Sequence, residues 1–209
     1  MARYTGPVCR LCRREREKLF LKGRRCFTDK CAVERRDSVP GQRAKRFRGK
    51  QSSYGLQLRE KQKLRRTYGV LERQFRRYFD LASRSRGNTG TELLVILERR
   101  LDNVVYRLGL AQSRSHARQM VLHGHFRLNG HKADIPSLLV KAGDVLELRE
   151  KPRKNVFVEE ALEMAKDRGV PGWLELDAEA FRGTVKEMPL REQIQVPVKE
   201  QMVVELCSR

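Results

Sequence analysis

Four cysteines near the start of the chain are the residues best suited to chemistry. Cys9 and Cys12 form a C-x2-C pair, thirteen residues follow, and Cys26 and Cys31 form a C-x4-C pair. Two such pairs joined by a short loop can bring four sulfurs into the tetrahedral arrangement that zinc adopts with thiolates. Because four protein ligands leave no position for a water molecule, we expect a structural zinc, about one per chain, and not a catalytic one.

Other chemistry is open to the same cysteines. Their spacing also allows a thiol redox pair or an iron–sulfur cluster, or it has no chemical meaning. A thioredoxin-like motif would need a flanking strand and helix, which the surrounding sequence does not predict. Disulfides are disfavoured if the thiols are kept reduced in the cytosol. Zinc is favoured because the segment has few apolar residues, so metal binding would have to supply much of its folding energy.

The charge of the chain indicates a polyanionic partner. The 46 Lys and Arg residues outnumber the 26 Asp and Glu residues, which gives a formal net charge of +20. Residues 1–66 alone contain 22 basic and 6 acidic side chains. So large an excess is typical of proteins that bind nucleic acid. Apolar residues still make up 39% of the chain, which is enough for a core, and the length favours two modest domains.

Membrane association is not expected. No apolar run is long enough to cross a bilayer, and no hydrophobic signal segment precedes Cys9. The sequence therefore predicts a cytoplasmic protein.

Residues 40–53 form a basic stretch that is predicted to be an extended, solvated loop when free. It is either an arm that contacts phosphates or a linker whose charge only aids solubility. After it, Ser52 or Ser53 can cap a helix that ends at Gly69. A second helix is predicted over 71–87, with its phenylalanines at helical spacing and facing the core.

The middle of the chain predicts a compact mixed module. Apolar residues recur at helical spacing over 89–108, which predicts one long helix. Ser113 caps a second helix that ends at Gly124. Asn129-Gly130 lies between alternating residues and predicts a hairpin, and two more short strands are expected around Gly143-Asp144. The module is therefore predicted to be two helices packed on a small antiparallel sheet. From Trp173 onward we expect a core segment that returns to the first domain.

The motifs of this module resemble a known RNA-binding family. The stretch "LERRLDNVVYRLGLAQSRSHARQMVLHGHFRLNGHKADIPS" and the following "VKAGDVLEL" resemble the small module named after bacterial ribosomal protein S4. Outside the module, "ARYTGPVCRLCRRE", "YGLQLREKQKLRRTYGVLERQFR" and "PVKEQMVVELCSR" are similar to the ribosomal S4 family itself. The resemblance runs essentially from Met1 to Arg209, in the branch of the family that carries four cysteines and zinc.

The resemblance implies an α+β fold and a non-enzymatic function. It implies a zinc knot and basic arm over 1–45, a helical domain over 46–91 completed by 169–209, and the RNA-binding module over 92–168. The implied protein is a structural constituent of the small ribosomal subunit that binds small-subunit rRNA and nucleates assembly of its 5′ domain. The basic loop would lie near the channel through which mRNA enters. The stretch 195–204 would contact ribosomal protein S5 and influence translational accuracy.

Rigid RNA junctions are recognised through shape, phosphates and 2′-hydroxyls, so basic residues are the expected contacts. The candidates beside the cysteines are Arg13, Arg14, Arg35 and Arg36; those in the basic loop are Arg43, Lys45, Arg46, Arg48 and Lys50; those on the first helix are Lys61, Lys63, Arg65 and Arg66; and those in the module are Arg114, Arg118, His123, His125 and Lys132. Two other classes fit the charge: a zinc-dependent regulator of duplex DNA and an RNA-modifying enzyme. The second lacks a recognisable catalytic constellation.

Overall fold

The computed structural model describes residues 3–36, 38–41, 52–153 and 155–208. The chain divides into two compact units. The first is formed by residues 1–93 together with 196–209, and the second by residues 94–195. Among the described residues, no helix combines the length and the apolar character that crossing a membrane requires.

The first part of the chain forms helices, and the strands begin at Phe126. The helices are α1 Cys9–Glu15, α2 Ala32–Arg35, α3 Ser53–Thr67, α4 Glu72–Ser83, α5 Thr89–Glu98, α6 Leu101–Arg107, α7 Arg114–Leu122, α8 Glu150–Arg153, α9 Val156–Arg168 and α10 Glu200–Cys207, with 3-10 turns at Gly23–Phe27 and Arg191–Gln193. The strands are β1 Phe126–Leu128, β2 His131–Ala133, β3 Val145–Leu148, β4 Leu174–Asp177 and β5 Arg182–Val185.

The first unit is helical; the predicted start and end of its first long helix are confirmed, whereas the helix predicted over 71–87 ends earlier, at Ser83. The Ser52 hydroxyl accepts a hydrogen bond from the Gly55 N–H at 3.1 Å, which satisfies one of the free donors at the start of α3. Gly69, at a φ of +64°, ends this region in the left-handed conformation that glycine adopts without cost. α10 packs along α3, where the Gln57 amide donates to the Glu205 carboxylate at 2.8 Å.

The prediction of one long helix over 89–108 is wrong. The structure has two helices, α5 and α6, separated at Arg100, whose backbone is extended. Arg100 forms an isolated antiparallel bridge with Leu139, and the N–H of Leu101 donates to the Leu138 carbonyl at 2.8 Å. At the start of a helix, the first N–H groups have no partner within the helix. The break is favoured because a distant segment of the chain accepts these N–H groups of α6.

The second unit contains a five-stranded antiparallel sheet in the order β2-β1-β3-β5-β4. The predicted hairpin is confirmed: Asn129 and Gly130 have φ values of 50° and 80° and join β1 to β2. The two strands expected around Gly143-Asp144 reduce to β3, because the stretch before Gly143 makes only the single bridge at Leu139. Helices and a small antiparallel sheet therefore form the expected α+β fold.

The hairpin of β4 and β5 is the largest difference from the sequence-based expectation. Residues 169–209 were expected to complete the first domain, but β5 pairs with β3 and Trp173 is buried in the core of the second unit. Residues 169–195 therefore lie in the second unit, and 196–208 pack in the first. The core of the second unit is completed by α9, which approaches the chain at Gly109 closely enough that a Cβ there would lie 2.2 Å from the Ala165 Cβ.

Candidate nucleic-acid interface

The four cysteines lie on neighbouring short elements of the first unit. Cys9 begins α1, and Cys12 follows it by about one turn. Cys26 lies in the 3-10 turn Gly23–Phe27, and Cys31 immediately precedes α2. Cys12, Cys26 and Cys31 are buried and Cys9 is half-buried, and all four are free thiols. Two leucines pack with Cys12 in a small apolar cluster.

Backbone groups point at two of the sulfurs. The Lys22 N–H donates to the Cys26 sulfur at 3.3 Å, and the backbone of Leu19 bonds to Cys12. Burial raises the pKa of Cys12 to about 11, and the nearby thiols add to the shift. Burial also raises the pKa of Cys26. Within the described part of the chain, no set of three or more His, Cys, Asp or Glu side chains is arranged to hold a metal ion. The donor chemistry therefore fits zinc, while the arrangement of the thiols is not that of an assembled metal centre.

Salt bridges join α1 and the residues just after it to α3. The Glu15 side chain is only 2% exposed, and its carboxylate contacts Arg59 at 3.1 Å and also Arg66. Burial raises the pKa of Glu15, while the charges of Arg59 and Arg66 oppose that shift. Lys63 contacts Glu17 at 2.8 Å. These pairs fix the cysteine segment against the main helix of the first unit.

Two more cations of α3 are paired with α4. Lys61 and Arg65 contact the two carboxylate oxygens of Glu72 at 2.7 and 2.8 Å. All four RNA-binding candidates on the first helix are therefore in salt bridges within the protein: Lys61, Lys63, Arg65 and Arg66. Their positive charge is largely matched by neighbouring carboxylates, which weakens their attraction for phosphate.

The candidates beside the cysteines have a different environment. Arg13 donates two hydrogen bonds to the Ser38 carbonyl, at 3.0 and 2.7 Å, so its guanidinium is oriented without being neutralised. Arg14, Arg35 and Arg36 are exposed, and none of them forms a salt bridge with another described residue. Their charges are available to an outside anion.

In the second unit, Arg114 and Arg118 are used mainly inside the protein. Ser113 caps α7, as predicted, by accepting from the His116 N–H at 3.2 Å. Arg114 donates to the Asn103 side chain at 2.8 Å and lies over the Tyr106 ring at 4.6 Å. Arg118 is 7% exposed and contacts the Asp102 carboxylate at 3.2 Å. Arg118 is therefore best explained as a structural residue.

The remaining module candidates lie at the start of the sheet. The His123 and His125 rings meet edge to face at 5.8 Å. Burial, with smaller contributions from His123 and Arg149, lowers the pKa of His125 below its usual range. Lys132 is exposed and contacts the exposed Asp134 at 3.2 Å. These side chains can donate hydrogen bonds to RNA.

The five candidates of the basic loop are outside the described residues, so their predicted role stays a prediction. They are Arg43, Lys45, Arg46, Arg48 and Lys50. In the stretch 195–204, predicted to contact ribosomal protein S5, the valines at 196, 198 and 203 are buried and the polar residues at 195, 199 and 201 are exposed.

Known proteins are similar to this chain along its whole length. Residues 3–98 match the family model of the ribosomal protein S4/S9 N-terminal domain, and residues 99–146 match the S4 domain. The chain is 64% identical to the small ribosomal subunit protein uS4 of Geobacter sp. (strain M21) and of Citrifermentans bemidjiense, over 100% of each chain. The corresponding protein of Geobacter sulfurreducens is 60% identical over the same length. The chain belongs to the uS4 family.

Membership of the uS4 family decides between the classes that the charge allowed. This is a family of structural ribosomal proteins and not of enzymes. The S4-domain match begins at residue 99, where the structure passes from α5 to α6. The second compact unit begins five residues earlier, at residue 94 within α5.

A buried ionic network in the second unit was not predicted from the sequence. Glu98 accepts from Arg107 at 2.6 and 3.0 Å and from the Asn103 amide at 2.7 Å. Beside it, Asp102 accepts from Arg100 at 3.0 and 2.5 Å. The available signal was the run of charged residues from Glu98 to Asp102 inside an otherwise apolar helical pattern, since charges at such positions must be paired.

Proposed function

We propose that this uS4-family chain is a structural constituent of the small ribosomal subunit that binds small-subunit rRNA directly and works on the ribosome. The observation that carries the proposal is the 64% identity to proteins of that name over the full length of both chains. The exposed cations beside the cysteines supply unneutralised charge for phosphates. Such a surface suits a folded RNA junction, which proteins recognise largely through its backbone.

Within that role, the chain nucleates assembly of the 5′ domain of the small-subunit rRNA. The basic loop over 43–50 lies near the channel through which mRNA enters, where its five cations would contact the phosphates of the message. The exposed polar residues of the stretch 195–204 contact ribosomal protein S5, and this contact influences decoding accuracy. Cross-linking from residue 46 to mRNA and from residue 201 to S5 tests these contacts separately, and cross-links to neither partner contradict them.

The cysteine segment binds one structural zinc through Cys9, Cys12, Cys26 and Cys31. The proposal is supported by four free thiols on adjacent elements and by backbone N–H groups directed at two of them. Zinc with four thiolates supplies a cross-link between distant parts of a segment and leaves no open position for catalysis. In this segment it would join α1 to the chain around α2, where the apolar cluster is small.

The rRNA assignment is tested by titration at matched salt. The wild-type chain is mixed with a folded fragment of the 5′ domain of small-subunit rRNA or with a DNA duplex of equal length. We expect tighter binding to the rRNA fragment and a steep loss of affinity with salt, since each phosphate contact contributes about 0.7–0.9 to the log–log slope. Equal affinity for both nucleic acids would remove the basis of the proposed function.

The zinc assignment is tested by elemental analysis of untagged protein. We expect about one zinc per wild-type chain, less in the Cys9→Ser/Cys26→Ser variant, and an unchanged content in the control variant Cys207→Ser. The double variant should also expose residues 3–36 to limited proteolysis while the S4 domain stays protected. Iron with sulfide, or full protection of this segment without metal, contradicts the assignment.

A further inference from the structure

The cations of the first unit fall into two groups that the sequence does not distinguish. On α3, the candidate cations are matched by carboxylates of Glu15, Glu17 and Glu72. Around the cysteines, one salt bridge joins two residues of the segment, between Lys18 and Glu34. Most other cations of that segment form no salt bridge with an acidic side chain among the described residues: Arg10, Arg13, Lys22, Arg24, Arg25, Lys30, Arg35 and Arg36.

All of these cations except Arg24 line a cleft beside the cysteines. The cleft has a volume of about 350 Å³, within the range of about 300–1,000 Å³ that is usual for ligand sites. Arg10 and Arg13 of α1 line one side of it. Five cations from the chain between Lys22 and Arg36 also line it, and no Asp or Glu is among the described residues of its wall. With no carboxylate in that wall, the local potential is strongly positive.

A second cleft continues the first. It has a volume of about 420 Å³ and is lined by Arg24 and Thr28 together with three residues of the first cleft. The shared residues are Arg25, Lys30 and Arg35. Because these three cations line both clefts, the two form one basic groove. A continuous groove fits a chain of regularly spaced anions better than a single small anion.

Two guanidinium groups of the groove are already oriented. Arg13 is held by the Ser38 carbonyl at 3.0 and 2.7 Å, and the Arg25 Nε donates to the Lys30 carbonyl at 3.3 Å. A carbonyl fixes the direction of the side chain but leaves its full charge and its remaining N–H groups for a ligand. Arginine is suited to this use because its planar fork can bond to two phosphate oxygens.

We propose that this groove binds the sugar-phosphate backbone of small-subunit rRNA and that the paired cations of α3 instead hold the cysteine segment in place. The inference rests on the proposed function and assigns the RNA contact of the first unit to one surface. It adds Arg10, Lys22, Arg24, Arg25 and Lys30 to the residues expected beside the cysteines, and it removes the four candidates of α3 from direct contact.

The test compares two triple variants that lose the same charge. The groove variant is Arg25→Gln/Lys30→Gln/Arg35→Gln, and the control is Lys61→Gln/Arg65→Gln/Arg76→Gln, whose three cations surround Glu72. Each full-length chain is titrated with the rRNA fragment over a range of salt concentrations. Three lost phosphate contacts should lower the log–log slope by about 2 in the groove variant. The control should keep the wild-type slope to within about half of one contact.

A smaller variant protects the test against misfolding. Arg10→Gln/Arg36→Gln removes two exposed cations from different parts of the cleft wall and should lower the slope by about 1.5. Thermal unfolding of each variant reports its folded state. The groove assignment is overturned if both groove variants keep the wild-type slope, or if the α3 control loses as much slope as the groove triple. Failure of the wild-type chain to prefer the rRNA fragment would instead reject the proposed function itself.

Discussion

Replacing Asp102 by asparagine should be among the most damaging single changes in the S4 domain. The Asp102 side chain is 5% exposed and lies between Arg100, which is 1% exposed, and Arg118, which is 9% exposed. It accepts three charge-assisted hydrogen bonds, at 3.0, 2.5 and 3.2 Å. The substitution removes a negative charge that both buried guanidinium groups contact.

The magnitude follows from what remains after the substitution. Breaking a buried ion pair by removing one partner costs about 3–5 kcal/mol. Two of the three hydrogen bonds are accepted by Oδ2, and an asparagine oxygen in its place can still accept them, so we expect the lower end, about 3 kcal/mol. For a unit of this size, such a loss lowers the midpoint of thermal unfolding by roughly 10–25 °C.

The assay is denaturant unfolding of the full chain, followed by a signal from Trp173 in the core of the same unit. The matched control is Asp134→Asn, because Asp134 is 49% exposed and its pair with Lys132, at 3.2 Å, is solvated. An exposed pair of this kind contributes about 0–1 kcal/mol. If Asp102→Asn costs no more than the control, the account of the buried network is refuted.

Three further predictions concern the same unit. Gly109→Ala should lower the free energy of unfolding by about 3 kcal/mol, because Gly109 has a φ of +83° and the new Cβ would meet Ala165. The control Gly143→Ala, at a φ of +85° with no atom within 4 Å of the new Cβ, should cost about 1 kcal/mol. Equal losses of stability in urea unfolding would contradict the contact with Ala165. Arg118→Met should lower stability but leave the salt slope of rRNA binding unchanged, and a slope reduced by about 1 would show a direct phosphate contact. Burial lowers the pKa of His116, so near and below pH 6.5 the unfolded chain binds more protons than the folded chain. The free energy of unfolding should therefore fall as the pH drops from about 6.5 through the lowered pKa. His116→Gln should flatten this pH dependence, and an identical pH profile for both proteins would refute the role of His116.

Local signals predicted much of the fold because their causes are local. Ser52 and Ser113 cap the helices that follow them, and Asn129-Gly130 turns the hairpin. In each case one or two residues satisfy backbone donors or adopt positive φ, and no distant partner is needed. Cys9, Cys12, Cys26 and Cys31 lie on short elements of one segment, and the convergence of their thiols on one metal ion stays a prediction.

The remaining features depend on partners that are far apart in the chain. The apolar pattern continues past Arg100 and gives no sign of a helix break. The break depends on Leu138, whose carbonyl accepts the Leu101 N–H. The pairing of β5 with β3 joins segments whose order along the chain does not specify neighbours. The same limit applies to the RNA surface. Lys63 is matched by Glu17, 46 positions earlier, and charge density alone could not separate it from the unmatched cations of the groove.

Sedimentation of the untagged chain with ribosomal particles tests the central claim most directly. Lysate is separated on a sucrose gradient and the chain is quantified in each fraction by mass spectrometry, at salt low enough to preserve phosphate contacts. The account predicts that the chain sediments with the small subunit, in about one copy per particle, and shifts to the top of the gradient after treatment with ribonuclease. A chain that stays at the top of the gradient before ribonuclease treatment would contradict it.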